Sequence, residues 1–230
     1  MNKTAQLLCA WSVLVFLALL AIGWWPLAGF LPPIASSLDA QAVAEIYQNH
    51  TAAMRTGFLL IVLGSGFYVP FSAAIATQMQ RIEGVNSVLA KTQMGAGIMV
   101  VTLIIMPVLI WSVAAYRPER APELTQLLND LGWICLIMPA SPAMVQVMAV
   151  GIAALIDKSP TPVYPRWIGY LGLWLAVIFL PGLLLTYFKT GAFAWNGVLA
   201  FWLPVSLFFG WMILMAWMTH RAIVNQPDAG

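Results

Sequence analysis

Three hydroxyl-bearing residues, Ser65, Tyr68 and Ser72, stand three and four positions apart in an apolar segment of the chain. On an α-helix this spacing places all three on one face, on either side of Pro70. Hydroxyl groups hydrogen-bond without carrying charge, so such a face can orient a small polar group inside an apolar environment. The pattern predicts either the polar wall of a small-molecule pocket, with Tyr68 as its hydrogen-bonding group, or a helix contact whose hydroxyls bond their own backbone.

A second neutral polar pattern occurs in the stretch IMPASPAMVQ, which contains Pro139, Ser141, Pro142 and Gln146. The prolines lack N–H groups and leave backbone carbonyls without their usual helical partners. One of these carbonyls, on Met138, is within reach of the Ser141 hydroxyl. The two prolines and Gln146 share one stripe of a helix, and this stripe should face protein or a cavity. Spacing leaves open whether Gln146 bonds a ligand or a neighbouring helix.

These two patterns define the predicted ligand-binding residues. They are Ser65, Tyr68, Ser72, Ser141 and Gln146.

Groups that perform acid–base, nucleophilic or metal chemistry are missing from the same apolar segments. The two histidines, His50 and His220, lie in distant parts of the chain and are not expected to share one metal or haem within a subunit. None of the serines in the apolar segments has a His, Asp, Glu or Lys three or four positions away, as an activated nucleophile requires. We therefore predict no catalytic residue, no metal and no cofactor. The absence of intramembrane ionisable groups also argues against a proton-coupled pump.

The composition indicates a membrane protein. The chain has 230 residues, of which 62% are hydrophobic and 8% charged, whereas soluble domains carry about 25% charge. Because so few charges cannot cover the surface of a globular protein, lipid must be the main solvent of this chain. The net charge of +2 is small, and no cluster of Lys or Arg is present to hold phosphates. Nucleic acid is therefore excluded as a partner.

Six stretches are long and apolar enough to cross about 30 Å of hydrocarbon. They cover residues 6–30, 56–79, 92–115, 132–156, 167–188 and 197–219. The fold class predicted is an all-α integral membrane protein, a bundle of six transmembrane helices in a single membrane domain. Each stretch contains proline, so we expect kinked helices that splay and open an apolar cavity toward the outer leaflet.

Two connecting segments, 36–55 and 122–131, show amphipathic helical patterns. The first begins with two serines, which are good N-cap residues, and the second begins with Pro122, which suits a first helical turn. Leucines in the second segment recur with a helical period. Both segments are predicted to be short interfacial helices on the outer side. They serve either as a lid over the cavity or as simple connectors.

The distribution of Lys and Arg predicts the orientation. With the N-terminus inside, six basic residues fall on the cytoplasmic side: Lys3, Arg81, Lys91, Lys158, Arg166 and Arg221. Four fall outside: Arg55, Arg117, Arg120 and Lys189. Because cytoplasmic loops carry the excess of basic residues, both termini are expected in the cytoplasm. The predicted location is the inner membrane of a bacterial cell.

These observations favour one function and leave two alternatives. The leading hypothesis is binding and passage of a small, mostly apolar molecule through a cavity in the outer half of the bilayer, without ion coupling. The first alternative is a structural or accessory subunit of a larger membrane complex, with the small-residue stripes as interfaces. The second alternative is a cofactor-free membrane isomerase. Expected partners are the lipid bilayer, a small hydrophobic molecule or lipid, and copies of the chain or other membrane subunits.

Overall fold

The structure is a computed structural model that describes residues 2–84 and 86–226, and no β-strand occurs within these ranges. The α-helices are α1 (Lys3–Ile22), α2 (Ala40–Ser65), α3 (Tyr68–Glu83), α4 (Val88–Tyr116), α5 (Pro122–Ile137), α6 (Ser141–Ile156), α7 (Arg166–Ile178) and α8 (Leu203–Val224). A π-helical turn, Gly23–Leu27, extends α1, and another, Val198–Trp202, precedes α8. A 3₁₀-helix, Leu180–Tyr187, follows α7.

Six helical stretches of the described residues have the length and hydropathy to cross a membrane. They are Lys3–Leu27, Ala40–Glu83, Val88–Tyr116, Pro122–Ile156, Arg166–Tyr187 and Val198–Val224. Each contains or overlaps one of the six predicted spans, so the prediction of an all-α fold with six spans is confirmed. Large apolar side chains such as Leu59, Leu109 and Trp174 are more than half exposed on the outside of the bundle. This surface is that of a multi-pass membrane protein.

Two of the six stretches are each divided into two α-helices, although the sequence predicts each as one helix. The second is broken at Gly66 and Phe67, between α2 and α3, and the fourth is broken at residues 138–140, between α5 and α6. In the structure, the backbone N–H of Ala140 donates a hydrogen bond of 2.8 Å to the Met138 carbonyl, the group that the sequence places within reach of the Ser141 hydroxyl.

Three of the four other prolines in the predicted spans stand where the helix type changes. Pro26 lies in the first π-helical turn, Pro181 lies in the 3₁₀-helix, and Pro204 is the second residue of α8. Pro107, by contrast, lies inside the continuous helix α4. A proline removes one backbone donor, and these changes of helix type are ways of accommodating that loss.

The segments predicted to be interfacial helices are continuous with the spans. Helix α2 begins at Ala40 and departs from helical backbone angles only at His50, and α5 begins at Pro122. The stretch Ala40–Glu83 has 44 residues, more than the about 20 that cross the hydrocarbon once, and it is broken at Gly66 and Phe67. The interfacial position of both segments stays a prediction.

Glycine allows the closest helix crossings in the bundle. A Cβ on Gly172 of α7 would stand 2.5 Å from the carbonyl oxygen of Val147 in α6. A Cβ on Gly57 of α2 would clash with the carbonyl oxygen of Gly23, at the end of α1. Helices can approach this closely only where a side chain is absent, and close backbone approach is the main source of packing energy between helices in lipid.

Both described chain ends lie at one end of the bundle, which we call the terminal end. There Arg81 of α3 donates to the carbonyl of Ala222 in α8 at 2.8 Å and to Gln78 Oε1 at 2.7 Å. The amide of Gln78 in turn donates to Gln6 Oε1 in α1 at 2.6 Å. This network ties the first and last helices to α3.

The other end of the bundle, which we call the loop end, is covered by connecting segments. The indole N–H of Trp195 donates to the carbonyl of Ile34 at 2.8 Å, joining the segment after the 3₁₀-helix to the segment after α1. The amide of Gln126 in α5 donates to the carbonyl of Leu38 at 3.0 Å. Two connections and helix α5 are therefore fastened to one another at this end.

A carboxylate organises the connection between α6 and α7 at the terminal end. Asp157 accepts hydrogen bonds from the backbone N–H and the hydroxyl of Ser159 and from the backbone N–H of Val163, at 2.6 to 3.0 Å. Burial alone raises the pKa of Asp157, but these hydrogen bonds and the charge of Arg81 outweigh burial and hold it below its ordinary value of 3.8.

The crossing of α6 and α7 predicts the effect of one added methyl group. Gly172→Ala should lower the free energy of unfolding by about 1–3 kcal/mol, because the methyl group would press on the Val147 backbone rather than on a movable side chain. The measurement is reversible unfolding in detergent. The control is Gly210→Ala in α8, where a Cβ meets nothing within 4 Å. This change should be neutral or stabilise by up to about 1 kcal/mol. Equal losses in both variants would contradict the close crossing.

The connection at Asp157 predicts a pH dependence. Because the folded-state pKa is lowered, the carboxylate stabilises the fold above the unfolded pKa, near 3.8, and loses this contribution as the pH falls through the folded value. Asp157→Asn should therefore lower the melting temperature at pH 7. The difference from the unaltered protein should shrink as the pH falls below 3.8. A difference that stays constant from pH 7 to pH 3 would contradict this role.

Candidate functional site

A buried hydrogen bond joins two of the predicted site residues. The hydroxyl of Tyr68 donates to Gln146 Oε1 at 2.7 Å, and both side chains have no exposed surface. Tyr68 is the first residue of α3, directly after the break that separates α3 from α2, and Gln146 lies in the second turn of α6. The phenol ring also packs edge-on against Phe16 and Phe71, with ring centroids 5.5 Å away in each case. The hydroxyl is thereby held toward α6.

A second buried pair lies beside the first. The amide of Gln93 in α4 donates to Ser72 Oγ in α3 at 3.0 Å, and both residues have no exposed surface. Gly97, one turn further along α4, lets the two pairs meet. A Cβ at Gly97 would clash with Ser72 Oγ and stand 2.8 Å from Gln146 Nε2. We call Tyr68, Ser72, Gln93 and Gln146 the polar cluster.

Two atoms of the polar cluster have no hydrogen-bond partner within the described chain. They are Gln93 Oε1, which can only accept, and Gln146 Nε2, which can only donate. Leaving a buried polar atom unpaired costs about 1–3 kcal/mol. The cluster therefore contains one acceptor atom and one donor atom without a partner in the described chain.

The remaining predicted residues, Ser65 and Ser141, lie apart from the polar cluster. Ser65 is buried at the end of α2, and its hydroxyl donates to the carbonyl of Val62 at 2.7 Å. This is the backbone bond that the alternative interpretation of the hydroxyl face expects. Ser141 is the exposed first residue of α6. The structure thus brings together Tyr68, Ser72 and Gln146, and the binding role of all five residues stays a prediction.

Sequence reasoning missed Gln93. It stands second in the predicted span 92–115, where a glutamine is expected to reach the membrane surface and bond water. In the structure α4 begins earlier, at Val88, and Gln93 is buried. One feature of the sequence could have indicated a buried Gln93: Gly97 follows it by four positions, so an amide and a glycine share one helix face.

An apolar cavity of about 120 Å³ lies between α8 and the helices α4, α5 and α6. Its walls carry only apolar side chains and glycine, and they include Leu20, Ile61, Val100, Val108, Ala143 and Phe208. Helix α8 packs on α1, α3 and α7, and the cavity occupies the space between α8 and α4. None of the five predicted site residues lines it.

The polar cluster lies nearer the terminal end of the bundle than the cavity and does not line it. Val100, which lines the cavity, follows Gly97 by three residues in α4, and Ala143, which also lines it, precedes Gln146 by three residues in α6. Residues three apart share a helix face and are separated by about 4.5 Å along the axis. Because α4 and α6 run in opposite directions, both steps lead from the cluster toward the loop end. Gln146 therefore lies about one turn from the lining residue Ala143, and Gln93, seven residues before Val100, lies about two turns from the cavity, both on its terminal-end side.

Indole rings form the loop-end wall of the cavity. Trp24 and Trp111 line it, and both pack against Trp133 of α5, with ring centroids 6.3 Å and 4.9 Å away. The indole N–H of Trp111 donates to the carbonyl of Asn129 at 3.2 Å, and Gly132 leaves the room for this ring. The rings of Trp24 and Trp133 are stacked and those of Trp111 and Trp133 are tilted, and aromatic pairs at these distances attract one another.

Charged groups are distant from both features. Among the residues that the structure describes, Asp157 is the only Asp, Glu, Lys, Arg or His with a buried side chain, and it lies in the connection at the terminal end. The same residues contain no group of three or more His, Cys, Asp or Glu that could hold a metal ion. What the arrangement can do is bind through apolar contact and neutral hydrogen bonds.

The bond between Tyr68 and Gln146 predicts a stability difference. Tyr68→Phe keeps the ring but leaves Gln146 Oε1 buried without a donor, and should lower the free energy of unfolding by about 1–3 kcal/mol. Ser65→Ala, the control in the neighbouring helix, removes only a bond to the local backbone and should cost less than about 1 kcal/mol. Chemical unfolding in detergent measures both. A Tyr68→Phe protein as stable as the unaltered one would show that the bond adds nothing.

Comparison with known proteins found no match for this chain. No family model matches the chain, and no curated protein or solved structure matches it.

Proposed function

We propose that this protein binds a small, mostly apolar molecule in the cavity between α4 and α8 and exchanges it with the outer half of the bilayer, without ion coupling. The observation that supports this most directly is the cavity itself, about 120 Å³ of space walled by apolar side chains and glycine. A well-packed bundle leaves few voids of this size, because each one forfeits dispersion contacts. Occupation by an apolar molecule restores those contacts.

The volume limits the occupant to one ring or a short chain. An apolar cavity of about 150 Å³ stays free of water and binds benzene or xenon, and pockets for drug-sized ligands are about 300–1,000 Å³. A cavity of about 120 Å³ accordingly suits a molecule of benzene size or the end of a hydrocarbon chain.

The location of the cavity favours exchange with lipid. If both termini are cytoplasmic, the loop end faces outward, and the wall formed by Trp24 and Trp111 lies toward the outer leaflet. Lining residues such as Ile104, Val205 and Phe209 are only half-buried, so the cavity borders the lipid-facing surface. A molecule dissolved in the outer half of the bilayer can reach it from the side, between α4 and α8.

Helix interruptions surround the cavity, in keeping with the proposed role of proline kinks. Ala140 lies in the break between α5 and α6, Gly182 in the 3₁₀-helix and Ala200 in the second π-helical turn, and all three line the cavity. Proline stands next to or near each one in the sequence. Helices that change direction or type at one depth cannot pack along their whole length, and space remains between them.

The absence of charge in these walls favours passive binding over coupled transport. Proton- and ion-driven carriers hold ionisable groups at membrane depth, and the polar cluster is neutral. In the proposed mechanism the molecule partitions from lipid, is held by apolar contact, and leaves by the same lateral route. The inner membrane of a bacterial cell, with both termini cytoplasmic, is the proposed location.

Filling the cavity should abolish binding of a small apolar probe. Toluene should raise the melting temperature of the protein in lipid nanodiscs, since a ligand at ten times its Kd stabilises the folded state by about 1.4 kcal/mol. Ala143→Phe places a ring inside the cavity and should remove most of this stabilisation. The measurement is thermal unfolding against the toluene concentration in the lipid phase.

The matched control is Val145→Phe, on the exposed side of the same helix. It adds a ring in contact with lipid and should retain the toluene effect of the unaltered protein. If toluene shifts all three melting temperatures equally, or none of them, the cavity is not a binding site. If Ala143→Phe instead separates copies of the chain or partner subunits, the accessory-subunit alternative gains.

A further inference from the structure

We propose that a surface groove between α2 and α4 is a binding site for a phospholipid, with the lipid phosphate on Arg55 and one acyl chain along the groove. The groove has a volume of about 310 Å³ and is lined by Arg55, Phe58, Leu59, Val62, Ser112 and Tyr116. None of these residues lines the apolar cavity, so the inference does not depend on the proposed function.

The groove is charged at one end and apolar along the rest of its length. Helix α2 contributes Arg55, Phe58, Leu59 and Val62, whose spacing of three and four positions places them on one helix face. From Arg55 to Val62 this face runs about 10 Å at 1.5 Å per residue. It leads from the loop end toward the middle of the bundle, because α2 begins near the loop end and α3 ends at the terminal end. A phospholipid has the same arrangement, with its phosphate at the membrane surface and its acyl chains toward the centre.

Helix α4 forms the other wall of the groove with Ser112 and Tyr116, which are four residues apart. The hydroxyl of Ser112 donates to the carbonyl of Val108 in its own helix at 2.7 Å, so it presents little polarity to the groove. Tyr116 is the last residue of α4 and is 69% exposed. Because tyrosine is enriched at membrane–water interfaces, we infer that this end of the groove lies at the depth of the lipid headgroups.

Two backbone carbonyls hold the guanidinium group of Arg55 at this end. Its Nε donates to the carbonyl of Ala115 at 3.1 Å, and its Nη2 donates to the carbonyls of Ala115 and Tyr116 at 2.9 Å each. Both carbonyls belong to the last turn of α4, where a helix has no backbone donors left to offer. A guanidinium group carries five N–H donors, and the two on Nη1 bond no residue of the described chain.

The charge of Arg55 is not balanced by a carboxylate. No Asp or Glu within the described ranges forms an ion pair with Arg55. The carbonyl end of a helix supplies only about half an elementary negative charge. The adjoining chain adds Arg117, Glu119, Arg120 and Glu123, so with Arg55 the positive charges outnumber the negative ones. An anion at this corner of the bundle would therefore be attracted.

Phosphate is the anion that fits both the guanidinium group and its position. Guanidinium groups bind phosphate and carboxylate through parallel hydrogen bonds, and phosphate is the one that phospholipids place at the membrane surface. The exposed apolar side chains of Leu59 and Val62 lie below it, where an acyl chain runs. Arg55 is thus the group proposed to touch the phosphate, and the apolar walls are proposed to touch the chain.

Native mass spectrometry of the full-length protein in detergent tests this inference with three probes. Dioleoylphosphatidylglycerol has phosphate and chains, dioleoylglycerol has the chains alone, and glycerol phosphate has the phosphate alone. At concentrations at which one molecule binds, dioleoylphosphatidylglycerol should bind about tenfold more tightly than dioleoylglycerol, as hydrogen bonds to a charged group allow. Glycerol phosphate should bind more weakly than either lipid.

A methionine variant assigns the preference to Arg55, because methionine keeps an apolar stem without the guanidinium group. Measured in one mixture with the unaltered protein, Arg55→Met should bind dioleoylphosphatidylglycerol about tenfold more weakly and dioleoylglycerol equally well. The control is Arg166→Met, which removes an exposed charge at the start of α7, at the terminal end. It should change the affinity for either lipid by less than twofold.

A second pair of variants tests the groove without altering Arg55. Val62→Trp places a ring in the groove and should weaken the binding of both lipids by about fivefold or more. Leu63→Trp, at the next position, is also exposed but does not line the groove, and it should leave both affinities unchanged. This pair decides the question even if Arg55→Met does not fold.

Several results would overturn the inference. The phosphate has no role if both lipids bind equally to the unaltered protein, or if Arg55→Met and Arg166→Met lose equally. Glycerol phosphate binding as tightly as the lipid would assign Arg55 to a free phosphate ester. If Val62→Trp separates copies of the chain and leaves lipid binding unchanged, the groove holds a second copy instead. None of these results bears on toluene in the cavity, so the two proposals can fail separately.

Discussion

The rest of this structure depends on one constraint: hydrocarbon offers no hydrogen-bond partner to the backbone. Every N–H and C=O at membrane depth must be satisfied within the chain, so the six spans are helical and charge stays at their ends. Pro107 lies inside the continuous helix α4, but near the other prolines of the predicted spans the chain turns or changes helix type, as at Ala140, whose N–H bonds the Met138 carbonyl. The breaks and the π- and 3₁₀-helical segments follow from this one requirement.

The same constraint separates tight packing from open space. At Gly172, which faces the Val147 carbonyl, and at Gly57, which faces the Gly23 carbonyl, the helices approach backbone to backbone and pack tightly. Where interrupted helices meet, near Ala140 and Gly182, their surfaces do not match along their length, and the apolar cavity remains. A cavity lined by apolar side chains disfavours water and favours a hydrocarbon group as its occupant. This is why we propose binding of a small apolar molecule as the function.

Polar chemistry inside such a bundle is restricted to neutral groups that bond one another. Tyr68 and Gln146 form one buried pair and Gln93 and Ser72 the other. Four side chains in two pairs use fewer bonds than their atoms offer, and one amide nitrogen and one amide oxygen remain without a partner in the described chain.

The sequence by itself determined the class of the protein, because hydropathy over a span and the lack of charge are local properties that lipid selects directly. All six spans were predictable in number and position for that reason, and so was the neutral polarity of Tyr68, Ser72 and Gln146. Only the tertiary structure decided which of these residues meet. Ser65 shares the predicted face but bonds its own backbone, and Gln93 joins the cluster because α4 begins early enough to bury it. The cavity is a property of several helices at once, since its walls come from residues far apart in the chain. Helical periodicity is set within one segment, whereas the partner of a buried side chain depends on how segments cross.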